Sequence, residues 1–173
     1  PASTDQRVAA IAGGDQGLER LQPEPARMFL EARDGLGNQA AGALGVERVL
    51  VKDESGRLGL PSFKILGASW AAHRALAGQH TLTCATDGNH GRAVARVARL
   101  LGLQAIVFVP ADMIPARRAA IAGEGAQVRV VDGTYDEAVD RAAALGGPDV
   151  LVVQDTGEGD VPAWVSDGYG TIG

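Results

Sequence analysis

From Leu76 onward two kinds of apolar pattern alternate along the chain, and this alternation limits the fold more than any other feature. HTLTCA, residues 80–85, is short and rich in β-branched side chains, as a strand is. RAVARVARLLG, residues 92–102, sets Val94, Val97, Ala98 and Leu101 on one helical face and meets a stop at Gly102. AIVFV, Ala105 to Val109, is an apolar run closed by Pro110, the pattern of a buried parallel strand. A helix over Ala116–Ala122, a strand QVRVV and a helix TYDEAVDRAAALGG follow. Thr134 and Glu137 stand at capping-box spacing in that last helix. DVLVVQDT gives a further strand. Strands at these intervals, each followed by a helix, predict an α/β fold: a three-layer, open, mostly parallel sheet with crossover helices.

The flanking segments are less regular. A short helix is expected around Ala26–Asp34, another over residues 36–45, and a strand at Val49–Lys52. Ser62 is placed to cap a helix with Ile65, Ala68, Ala72 and Leu76 on its apolar side, ended by Gly78. Pro162 marks the start of a last helix carrying Trp164 and Val165.

Composition narrows the function classes. Hydrophobic residues make up 46% of the 173, enough for a real core. The net charge of -5 comes with scattered cations, and aromatics total 4%, so neither a basic footprint nor a stacking surface for nucleic acid is visible. Cys84 is the only cysteine, which excludes a disulfide framework and a cysteine-rich zinc site and fits a reducing, cytoplasmic setting. No three ligands stand at metal-site spacing. PASTDQRVAAIAGG has no secretory pattern, and no apolar run is long enough to span a membrane.

Ligands in open parallel sheets bind beyond the carboxyl ends of the strands. Three polar clusters fall there: 85–91, 110–114 and 154–159. In TDGNHG, Gly88 and Gly91 allow close backbone approach, and N–H groups at a strand-to-helix turn can converge on an anion. Asn89 both donates and accepts, Asp87 is a base if its pKa is raised, and His90 can orient a partner. The same residues also make an ordinary βα turn. In QDTGEG, Asp155 and Glu158 offer carboxylates to a pocket, or simply form a loop.

Lys64 poses the sharpest alternative. It lies in GLPSFKILGASW, a run with no other charge. Burial and a helix N-terminus would both lower its pKa and make its amine a nucleophile toward a carbonyl. A surface lysine that snorkels to water fits the same letters.

VKDESGRLGLPSFKILGAS (51–69) and ATDGNHGRAVA (85–95) resemble the fold-type II, tryptophan synthase β-like family of pyridoxal-phosphate (PLP) enzymes. YDEAV at 135–139, and VVQDT followed by VPAWVSDGYGTI, resemble its diaminopropionate ammonia-lyase branch. The resemblance implies PLP as cofactor, with Lys64 as the lysine that joins it and Asn89 as the residue facing its ring hydroxyl. It implies that Asp87, Gly88, His90, Gly91 and Asp155 receive an amino-acid substrate. Lys64 would take the Cα proton from an L-isomer and Asp87 from a D-isomer, giving pyruvate and ammonia from 2,3-diaminopropionate. It also implies a homodimer when full length. Residues 1–80 would form part of a large PLP-binding domain, 81–155 a small α/β domain, and 156–173 the start of the return to the large domain. The family's phosphate-binding loop is not found here, and GEGD at 157–160 is too acidic to cradle a phosphate. A serine or threonine dehydratase, a racemase of the same fold, a silent assembly domain and an amino-acid-binding module are the rival readings.

Overall fold

The computed structural model describes residues 29–31, 41–47, 49–52 and 57–170. Its centre is a four-stranded, fully parallel sheet: β3 (Thr81–Ala85), β4 (Gln104–Pro110), β5 (Gln127–Val131) and β6 (Val150–Val152), in the order β5-β4-β3-β6. A separate antiparallel pair joins β1 (Phe29–Glu31) to β2 (Leu50–Lys52). The helix expected over 26–34 is therefore replaced at its centre by a strand. Pairing with the remote strand β2, in the register Phe29↔Lys52, supplies backbone partners that local sequence cannot announce. The rest of that expected helix lies outside the described residues. Of the helix expected over 36–45, residues 41–44 are helical.

A 3-10 turn at Arg57–Gly59 leads into five α-helices: α1 (Lys64–Ala75), α2 (Asn89–Leu101), α3 (Pro115–Gly123), α4 (Tyr135–Leu145) and α5 (Asp160–Tyr169). Alternation along β4 divides them between two faces. Val107 and Val109 join the main core with Leu82, Val94, Val97 and Ile121, whereas Phe108 packs with Ala138 and Ala142 of α4 on the other side. The result is three layers, as the sequence predicts. Burying a Val or Leu side chain fully contributes about 1.5–3 kcal/mol, so these two clusters hold the sheet on both faces.

Sequence signals account for several helix ends, but not those of α1, whose N-cap is Phe63 rather than Ser62 and which stops at Ala75, short of Gly78. Thr134 accepts from the Glu137 N–H at 3.2 Å while Glu137 accepts from the Thr134 N–H at 2.6 Å, the reciprocal box the spacing predicts. Gly102 ends α2 in the left-handed region at φ 71°. α5 starts at Asp160, two residues before Pro162, within the first turn where a missing N–H leaves no helical bond unmade.

Strand order fixes where a ligand should sit. β3, β4 and β5 advance in one direction with α2 and α3 on one face. The chain then crosses by α4 on the other face and places β6 against the free side of β3. The carboxyl ends of β3 and β6 therefore flank the point where the winding reverses, the place where open α/β sheets bind their ligands.

Candidate active site at the strand switch point

β3 ends in Thr86–Gly91 and β6 ends in Gln154–Thr156, so topology brings together two of the three polar clusters. Gln154 ties them. Its buried amide accepts from the Ala85 N–H at 2.9 Å and donates to the Tyr135 hydroxyl at 3.0 Å. The third cluster, 110–114, forms the turn into α3, with the Met113 N–H bonded to the Pro110 carbonyl at 3.2 Å.

Thr86 organises the first turn from within. Its hydroxyl accepts from the Gly88 N–H at 2.9 Å and the Gly91 N–H at 3.0 Å. Gly88 has φ 157° and ψ -94°, which a side chain would strain. A Cβ on Gly91 would collide with Thr86 Cγ2 and stand 2.8 Å from Val107 Cγ1, so this glycine lets α2 close onto the sheet. Outside the turn, Arg117 of α3 donates from Nη1 to the Asp87 carbonyl at 3.1 Å and lies over Gly88. Asp87 and Asn89 are exposed, and no acceptor among the described residues meets the Asn89 or His90 backbone N–H. The turn thus offers an open carboxylate, an open amide and backbone donors at a helix start.

Lys64 comes from the other side. It is the first residue of α1, after Phe63, and its own N–H is 3.3 Å from Ser62 Oγ. Nζ donates to Asp155 Oδ2 at 2.9 Å, 5.5 Å from the Phe63 ring centre and 5.1 Å from that of Tyr169. Its side chain is 28% exposed and that of Asp155 12%. Lys64 is thus a partly exposed, ion-paired lysine, and the expected fall in pKa is reversed. Burial pulls the ammonium down, but the Asp155 carboxylate outweighs it and Tyr169 adds to the upward shift. In this state Lys64 is a paired ammonium that must shed a proton before it can act as a nucleophile.

His90 is buried against the same carboxylate. Nδ1 lies 3.5 Å from Asp155 Oδ2 and Nε2 lies 2.7 Å from the Val153 carbonyl. Burial holds the imidazole below its ordinary pKa, and Lys64 reinforces this against the smaller upward pulls of Asp155 and Val153. Asp155 thus stands between a lysine and a histidine. Glu158 is exposed on the loop beyond. Tyr169, Tyr135 and Arg117 are not among the site residues that the sequence pattern singles out. Each reaches the site through a helix packing that local pattern does not encode. Among the described residues, no cluster of histidine, cysteine or carboxylate side chains could hold a metal ion, and no helix is long and apolar enough to cross a membrane.

Known proteins share this arrangement of elements. The family model described as "Pyridoxal-phosphate dependent enzyme" matches residues 37–173. Diaminopropionate ammonia-lyase of Escherichia coli K12 is 35% identical over 159 residues, covering 76% of this chain and 39% of that protein. A crystal structure of the Escherichia coli enzyme with an aminoacrylate-PLP azomethine reaction intermediate superposes with a TM-score of 0.68 at 35% identity, over 78% of this chain and 40% of that one. Human L-serine dehydratase/L-threonine deaminase is 39% identical over 85 residues, 49% of this chain and 26% of that protein. The chain thus spans about two fifths of the length of the lyases it matches. With its matched span, its lysine opposite a strand-end turn and its parallel α/β layers, the chain belongs to the pyridoxal-phosphate dependent enzyme family, with the tryptophan synthase β-like fold.

Proposed function

We propose that this chain carries the substrate-handling side of a PLP-dependent ammonia-lyase that converts 2,3-diaminopropionate to pyruvate and ammonia. The observation that carries the reading is Lys64 held at 2.9 Å by Asp155 at the switch point, beside the turn that bears Asp87 and Asn89. Identity of 35% to the Escherichia coli lyase over most of the chain supports the substrate.

The donor set fits PLP. Lys64 offers a partly open primary amine, which joins a carbonyl, and Asn89 offers an exposed amide for the ring hydroxyl. PLP bound there supplies the electron sink for a carbanion at Cα. The chain's own residues supply the rest. Lys64 removes the Cα proton of an L-substrate, and Asp87 removes that of a D-substrate from the opposite side. The N–H groups opening α2, with Gly88 giving close approach, bind the substrate carboxylate. Gly91 keeps this turn against the sheet, and Thr86 and Arg117 fix its shape, so the base is held near Cα before reaction. Asp155 orients Lys64, and a second substrate amine would find a carboxylate in Asp155 or Asp87. The substrate is an amino acid, and the protein works as a homodimer in its full-length form, with 1–80 in the large domain and 81–155 as the small one.

The test is isomer-specific turnover in the PLP-loaded protein. Asp87→Asn should abolish pyruvate release from D-2,3-diaminopropionate, a fall of roughly 100-fold or more as expected for loss of a general base, and should spare the L-isomer. Equal loss on both isomers contradicts the role of Asp87. Turnover of serine or threonine without turnover of diaminopropionate replaces the lyase by a dehydratase.

A further inference from the structure

Two buried polar atoms of the site lack a hydrogen-bond partner among the described residues, the Tyr169 hydroxyl and a nitrogen of His90. His90 is 4% exposed, and its Nδ1 makes no hydrogen bond among the described residues. The opposite nitrogen settles the tautomer. A carbonyl oxygen can only accept, so Nε2 at 2.7 Å from Val153 carries a hydrogen. In a neutral ring Nδ1 is then a bare lone pair, 3.5 Å from the Asp155 carboxylate. Two acceptors face each other in a buried place, and the arrangement holds only while the Lys64 ammonium neutralises Asp155. Other groups that act on Asp155 add no positive charge: Cys84 from β3, Tyr135 from α4 and Tyr169 from α5 are all held protonated by burial.

We propose that His90 is the proton store of this site: when Lys64 gives up its ammonium proton, that proton passes through Asp155 to His90 Nδ1. The N–H bond of Lys64 breaks, its electron pair stays on Nζ, and the proton ends between Asp155 Oδ2 and Nδ1. Nothing is oxidised or reduced. The ion pair Lys64–Asp155 is exchanged for Asp155–His90, so the buried carboxylate never stands alone. His90 is then a positioning residue that acts through Asp155. The idea takes Lys64 as the reacting amine and so rests on the reading above.

The test reads the proton and does not depend on turnover. Protein labelled with 15N at histidine is titrated with and without PLP, and the His90 signals are assigned by their loss in His90→Gln. In the cofactor-free protein near neutral pH, His90 should show hydrogen on Nε2 alone. Lys64→Met removes the ammonium and should place a proton on Nδ1 and raise the proton affinity of the ring at least tenfold. Lys64→Met with Asp155→Asn should return the ring to neutral. A ring whose titration is unchanged in Lys64→Met, or one that stays protonated without Asp155, overturns the proposal. If the proton moves as stated while neither isomer of diaminopropionate is turned over, the substrate reading fails and the proton store stands.

Discussion

Lys64 and His90 stand beside one carboxylate yet shift in opposite directions. Asp155 raises the lysine it touches, whereas burial keeps the histidine low despite the same charge. A stability slope follows from His90. Its folded pKa lies below the ordinary value of about 6.5, so in the window beneath 6.5 the unfolded chain binds more protons. Stability should therefore fall as pH drops through that window. His90→Gln should flatten this slope in urea melts across pH 5–7, whatever its own cost to stability. An unchanged slope would mean that another group sets it. At this scale the sequence exposed identities rather than environments. The uncharged run around Lys64 and the TDGNHG turn name residues that the fold brings close to Asp155. The pairing with Asp155, 91 positions away, depends on how β6 lies beside β3, and that reversed the expected lysine shift.

Helix packing places the lysine. α1 crosses α5 through Gly67 and Gly168: a Cβ on Gly67 would collide with the Val165 carbonyl and stand 2.6 Å from the Tyr169 ring, and a Cβ on Gly168 would stand 2.7 Å from Gly67 Cα. This close crossing puts Tyr169 edge-on to Phe63, 5.2 Å between ring centres, beside Lys64. Gly67→Ala should cost about 1–3 kcal/mol by overpacking and should disturb Lys64 as well. Gly123→Ala is the contrast, since nothing lies within 4 Å of its Cβ and its φ is not positive. It should be neutral or stabilise by about 0.4–1 kcal/mol. Thr134→Ala removes the capping box and should cost about 1 kcal/mol. Urea melts of the three variants check the order. The Thr134 cap and the Gly102 stop were legible because they are local, whereas the Ser62 cap and the Gly78 stop expected for α1 are not where that helix begins and ends. β1 was not, because its partner strand is remote and its three residues carry no period.

The whole molecule turns on its strand order. The succession of strands and helices from β3 to β6 follows from periodicity, but the order β5-β4-β3-β6 does not. That order places Asp155 and the Asp87–Asn89 turn at one strand switch point and leaves the 110–114 cluster as a connection. α1 and α5 then pack together and carry Lys64 to the same edge. The sequence has only two lysines, Lys52 and Lys64, so the central claim has a direct chemical test. The protein is incubated with PLP, treated with borohydride to fix any covalent bond, digested and mapped by mass. The pyridoxyl mass should fall on the peptide containing Lys64 and vanish in Lys64→Ala. A label on Lys52, or none on either lysine in protein that holds PLP, would contradict Lys64 as the cofactor's lysine.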